Sequence, residues 1–136
     1  MRTRVPALLI VLTCLVLAAC KKDADVKTVL TDFDKFTDEL VKRVESASDP
    51  AAGVDDAQKY FDSKKAEMTS KMDSLKEIRG YQVGDETKKM MESSLVDDAK
   101  KIANLQVKYM GTSMRDPTFK AKLDKLTRDY QSLFKM

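Results

Sequence analysis

Apolar residues recur at three- and four-residue steps along most of the chain, in four blocks that follow an unbroken apolar run near the N-terminus. The first block holds Val26, Val29, Leu30, Phe33, Phe36, Leu40, Val41 and Val44. The second holds Ala57, Phe61, Met68, Met72, Leu75 and Ile78, with Tyr60 beside Phe61. Met91, Leu95, Ala99, Ile102, Leu105 and Tyr109 make the third, and Phe119, Leu123, Leu126, Tyr130 and Leu133 the fourth. Such steps lay one apolar stripe along one face of a helix, and no period-two alternation competes with them.

The breaks between blocks fit the same reading. Ser48-Asp49-Pro50 and Ala52-Gly53 interrupt the chain between blocks one and two. Gly80, after Arg79, stands where a left-handed helix terminator would. Asp85 is placed to cap block three, with Glu86 in its first turn, and Gly111 to end it. Asp116-Pro117 supplies a capping carboxylate and a proline at the first helical position of block four. Four amphipathic helices on short connections bury their stripes best side by side. The expected fold class is therefore all-α, a small antiparallel four-helix bundle over residues 26–136. Opposite charges four apart mark the outer faces: Glu39 and Arg43, Glu67 and Lys71, Asp97 and Lys101, Asp124 and Arg128. Each such pair adds only about 0.2–0.5 kcal/mol, so burial of the stripes must supply most of the stability.

The N-terminal run has a different character. Met1-Arg2-Thr3-Arg4 is basic, Val5 to Ala19 is uncharged and mostly aliphatic, and Lys21-Lys22 follows Cys20. A basic start and an apolar stretch of about 7–15 residues make a secretory signal, and a spanning helix needs about 20 apolar residues. Arg2 and Arg4 are split by a threonine, which points to the general secretory route. Leu17-Ala18-Ala19-Cys20 resembles the lipobox of bacterial lipoproteins. The resemblance covers residues 1–20 only. It implies that a diacylglyceryl group is added to the Cys20 thiol, that the Ala19–Cys20 bond is cut, and that the new amine is acylated. It makes residues 1–19 a cleaved signal peptide and residues 20–25 a lipidated tether. Two acyl chains anchor a protein durably, each buried methylene contributing about 0.8 kcal/mol. Lys21 and Lys22 would sit among the headgroups. In the enteric members of that class an aspartate after the cysteine retains the protein in the inner membrane. Lysine stands there in this chain, which implies the periplasmic face of an outer membrane.

Composition narrows the chemistry. Two of the 25 basic residues, Arg2 and Arg4, leave with the signal, which brings the formal charge of +3 down to +1. A near-neutral chain of mixed sign gives no reason to expect nucleic acid. Cys14 leaves with the signal and Cys20 is taken by lipid, so the domain keeps no thiol for a disulfide, a metal or a nucleophile. The chain has no histidine. Ser-His-Asp hydrolysis, His-ligated haem and HExxH zinc chemistry are thereby excluded.

Four features could still carry chemistry. Met68 and Met72 are four apart, as are Met110 and Met114, and Met90 adjoins Met91. Thioethers can hold Cu(I), but methionines at helical spacing ordinarily fill cores, and Met68, Met72 and Met91 fall on the core stripes. Asp55-Asp56 and Asp97-Asp98 are adjacent carboxylates, which point in different directions on a helix and are expected at helix starts and surfaces. Arg79-Gly80-Tyr81-Gln82 joins a cation to an aromatic, either as a binding point or as a helix end folded back on the core. Phe134-Lys135-Met136 ends in methionine rather than in the terminal lysine through which some small lipoproteins join the cell wall. The expectation is a lipid-anchored, non-catalytic interaction or structural module, with no cofactor, no metal and a protein partner of unknown identity. The alternatives are a carrier of an apolar ligand or Cu(I), and an enzyme limited to Asp, Glu, Lys, Arg, Tyr or Ser.

Overall fold

A computed structural model describes residues 8–135, with side chains from Lys22 onward except Tyr81. The described residues are mostly helical and hold no strand. The order is α1 (Leu8–Ser46), α2 (Pro50–Lys76), a 3-10 turn (Gly80–Gln82), α3 (Asp85–Lys108), α4 (Met110–Arg115) and α5 (Pro117–Ser132). Residues 20–25 lie on the helical backbone of α1. No helix among the described residues is long and apolar enough to cross a membrane.

α1 packs along α2 and α3, and α5 packs along α2 and α3. At one end, the Gly84 amide before α3 donates to Asp23 of α1, fifteen residues after Leu8 (3.0 Å), and Lys76 at the end of α2 donates to the Lys135 carbonyl (3.3 Å). At the other end, Lys108 at the close of α3 pairs with Glu45 near the close of α1 (2.7 Å). α1 and α3 thus run in the same direction, with α2 and α5 reversed.

The stripes of blocks one, two and four meet in this interior. Val26, Phe33, Phe36, Leu40 and Val44 of α1 are buried against Val54, Ala57 and Phe61 of α2 and Phe119, Leu123, Leu126 and Tyr130 of α5. Each fully buried large side chain contributes about 1.5–3 kcal/mol, so this contact set, and not the surface charge pairs, holds the fold. Phe36 lies at the centre of an aromatic group, with ring centroids 5.9 Å from Phe61 and 6.3 Å from Tyr130.

Two Asp-Pro caps form, the one at Asp116 as the sequence predicts and the one at Asp49 where it predicts only a break. Asp49 accepts from the Ala51 and Ala52 amides with Pro50 at the first helical position, and Asp116 accepts from the Thr118 and Phe119 amides with Pro117 in that place. Other breaks differ. Ala52-Gly53 does not interrupt the chain but lies in the first turns of α2. A Cβ at Gly53 would stand 2.8 Å from the Val44 carbonyl oxygen and 2.9 Å from the Ala47 Cβ, so the glycine lets α2 press against the end of α1. Gly80 opens the 3-10 turn with no left-handed φ. Asp85 follows the cap position, which Gly84 occupies, and the side-chain acceptor there is Asp23 from α1. Gly111 does not end a helix. The break falls at Tyr109, and residues 110–115 wind into the short α4, which gives five helices where the blocks predict four.

Candidate functional site

The inward side of α3 follows the apolar stripe except at one turn, where Asp98 and not Ala99 points in. Its inward residues run Thr87, Met91, Leu95, Asp98, Ile102, Leu105 and Tyr109, and Ala99 is exposed. Asp98 is 1% exposed, a carboxyl group at a core position. One turn on, Lys101 reaches across to α1. Its ammonium donates to Asp34 (2.5 Å) and Asp38 (2.7 Å) and lies 3.3 Å from Asp98 Oδ1. From α5, the Tyr130 phenol meets the Thr37 hydroxyl of α1 at 2.7 Å, with both residues buried.

Burial sets the electrostatics. It pushes the Asp98 carboxyl up to about 6; the Lys101 ammonium draws it down and the neighbouring Asp34 carboxylate raises it again. Asp34 is held below the usual carboxylate range, chiefly by its hydrogen bond from Lys101. Burial works against the Lys101 charge, but its bonds to Asp34, Asp38 and Asp98 outweigh that and hold it above the ordinary lysine range. Tyr130 is raised by burial. Asp98 and Asp34 lie within hydrogen-bonding reach of each other. Two carboxyl groups make that bond only when one is protonated. Asp98 Oδ2 is buried with no hydrogen-bond partner among the described residues. A groove of about 530 Å³ lies beside it, with Leu30, Asp34, Met90 and Lys101 in its walls.

The sequence-selected residues separate here. Asp98 overturns the expectation that the paired carboxylates sit at surfaces and helix starts. Asp97 is exposed and pairs with Lys100 (3.2 Å), Asp55 with Lys122 (2.6 Å) and Asp56 with Arg43 (2.7 Å). Glu39–Arg43 and Glu67–Lys71 form as expected at 2.9 and 2.8 Å. Lys101 turns inward instead of forming a surface pair with Asp97, and Asp124 bonds Lys120. Met68 and Met72 are buried in the core, and Met91 packs against it. Met90, Met110 and Met114 are exposed. In the 3-10 turn the Arg79 amide donates to the Gln82 side chain (2.8 Å); the Tyr81 side chain lies outside the described residues. Phe134 rests on Phe33 and Tyr130, with centroids at 5.9 and 5.3 Å; Met136 lies outside the described residues. So do the side chains of Ala19 and Cys20.

Sequence reasoning missed a second feature. Val96, Ala99, Ala103, Val107, Met110 and Met114 are all exposed, and their steps of three and four keep them on the outer side of α3 and α4. Val107 is 69% and Met114 80% exposed. The signal was a second apolar period out of phase with the first. Comparison with protein-family models, with curated proteins and with solved structures gave no match.

Proposed function

We propose that this chain is an envelope lipoprotein held through Cys20 at the periplasmic face of an outer membrane, and that its helical domain is a non-catalytic interaction module. The fold we assign it is an antiparallel four-helix bundle of α1, α2, α3 and α5, with α4 as the turn into the last helix. The observation that carries the anchor is the order of basic start, aliphatic run, Leu17-Ala18-Ala19-Cys20 and Lys21-Lys22. Support for an interaction role comes from the outer side of α3 and α4, where exposed valines and methionines gather while Met68 and Met72 are spent on the core. Apolar surface of that kind, kept exposed, marks a contact face. The carrier reading is weaker, because the two core methionines are packed among aromatic and aliphatic side chains.

Metabolic labelling with palmitate tests the anchor. The unaltered chain should take up label and Cys20→Ala should not. Equal incorporation in both would remove the lipid anchor from the account.

A further inference from the structure

The exposed stripe of α3 and α4 lies in an unusual stretch of sequence. Acidic residues punctuate the chain from Asp23 to Asp129, yet residues 99–115 contain none. The same stretch carries Lys100, Lys101, Lys108 and Arg115. Lys101 reaches across to Asp34 and Asp38 of α1 and Lys108 to Glu45 of α1, and Lys100, Lys108 and Arg115 border the outer stripe. Its α3 part, from Val96 to Val107, is about 16 Å long at about 1.5 Å per residue, and Met110 and Met114 follow on α4 after the break at Tyr109. Its residues are valine, alanine and methionine, with no aromatic side chain of the kind that anchors protein interfaces.

We propose that this side of α3 and α4 rests on an anionic lipid surface, laying the domain flat on the membrane to which Cys20 tethers it. The inference rests on the lipid-anchored reading. Apolar residues bordered by lysine and arginine suit an interface in which the apolar side sinks about 5–10 Å between headgroups and acyl chains. A second copy fits less well. A two-fold contact places the same patch on itself, and Lys100, Lys108 and Arg115 would then face their own kind. The fold also allows the posture. α1 and α3 are packed neighbours running in the same direction, and Asp23 is bonded to the Gly84 amide at the head of α3. Packed helix axes lie about 8–10 Å apart, so a molecule lying on α3 keeps the start of α1 close to the bilayer. Neighbouring acids soften the attraction. Lys108 is paired with Glu45 and Lys100 with Asp97, both through exposed contacts that exchange at little cost. The contact is weak by itself, and the tether supplies the local concentration that makes it effective.

The test uses the lipoprotein purified from membranes and labelled with an environment-sensitive fluorophore at Val107→Cys, or at Ser70→Cys on the exposed side of α2. Each is placed in vesicles of phosphatidylcholine alone and of phosphatidylcholine with one third phosphatidylglycerol. The proposal expects a blue shift and quenching by shallow spin-labelled lipid at position 107 in the anionic vesicles, and neither at position 70. The shift should fall in 1 M salt, where the Debye length is about 3 Å. Lys108→Gln with Arg115→Gln should abolish it while leaving the thermal transition in place. Equal spectra at 107 in both vesicle types, matching those in detergent, would overturn the proposal. So would a shift that grows with protein density in neutral vesicles, which would assign the face to a second copy. Detergent-phase partitioning of the same preparation reads the anchor separately. A chain that partitions as lipidated but shows no shift loses this face and keeps the anchor. An unlipidated chain that still shifts with added anionic vesicles keeps the face and loses the anchor.

Discussion

Asp98 is the residue whose environment departs furthest from what its neighbours in sequence suggest. Its carboxyl, pushed up to about 6, faces Lys101 on its own helix and Asp34 on α1, and its charge is felt by the Tyr130 phenol on α5. A folded-state value above the ordinary 3.8 means that the native form binds this proton more tightly than the unfolded chain. The stabilisation from Asp98 is therefore present below about pH 4 and is lost as pH rises through about 6. Converted at about 1.4 kcal/mol per unit, the effect is at most roughly 3 kcal/mol. Asp98→Asn keeps the shape and removes the titration. Thermal melts between pH 4.5 and 7.5 should show the unaltered protein losing stability across that range and the variant nearly flat. Two parallel curves would exclude Asp98 as the buried proton site. Gly53 supports a second prediction at this scale. Ala at this position meets the Val44 carbonyl at 2.8 Å, and crowding of this kind costs about 1–3 kcal/mol. Chemical denaturation should show Gly53→Ala destabilised despite alanine's better helix propensity. A stabilised variant would mean that the end of α1 yields freely.

For the helices, the caps sort by geometry and not by residue type. Asp49→Ala and Asp116→Ala should each cost about 1 kcal/mol, because their carboxylates bond amides of α2 and α5. Asp85→Ala should cost little by comparison, since the acceptor at the start of α3 is Asp23. Urea midpoints of the three variants check this; equal losses at Asp85 and Asp116 would contradict it. The contrast shows what was legible in the sequence. Asp-Pro signals a cap locally, because proline at the first helical position leaves the preceding carboxylate facing free amides. The start of α3 could not be read this way, since its acceptor lies on another helix 61 residues away. α3 itself was misjudged for a related reason. It carries two apolar periods, and the reading put Ala99 in the core because alanine is apolar, whereas the inward phase at that turn belongs to Asp98. What makes that carboxyl tolerable inside is the Lys101 ammonium one turn on, 3.3 Å away. Blocks one, two and four carry a single strong period, and the stripe residues read from them lie in or against the core, but Val54, Thr37 and Thr127 are buried there without belonging to those stripes. Gly111 misled because exposed glycine inside a short helix has the same sequence signature as a terminator.

Across the whole molecule the opposing titrations combine. Asp23, Asp34 and Asp129 are held below the ordinary carboxylate range, the first by a hydrogen bond from Thr87 and the others by bonds from Lys101 and Lys125. Their contributions are present above about pH 4 and are lost as pH falls below it, whereas that of Asp98 is lost as pH rises towards 6. Stability should peak between about pH 4 and 6, and a scan with its maximum above pH 7 would contradict this balance. The larger proposal concerns what the molecule is attached to. The chain has no histidine, and the anchor proposal assigns Cys20 to lipid. Intact mass of the mature protein from its native membrane tests that most directly. The account predicts a polypeptide of residues 20–136 with the added mass of a diacylglyceryl group and, where the amine is acylated, a third chain. A polypeptide still beginning at Met1, or one beginning at residue 20 with no lipid mass, would contradict it.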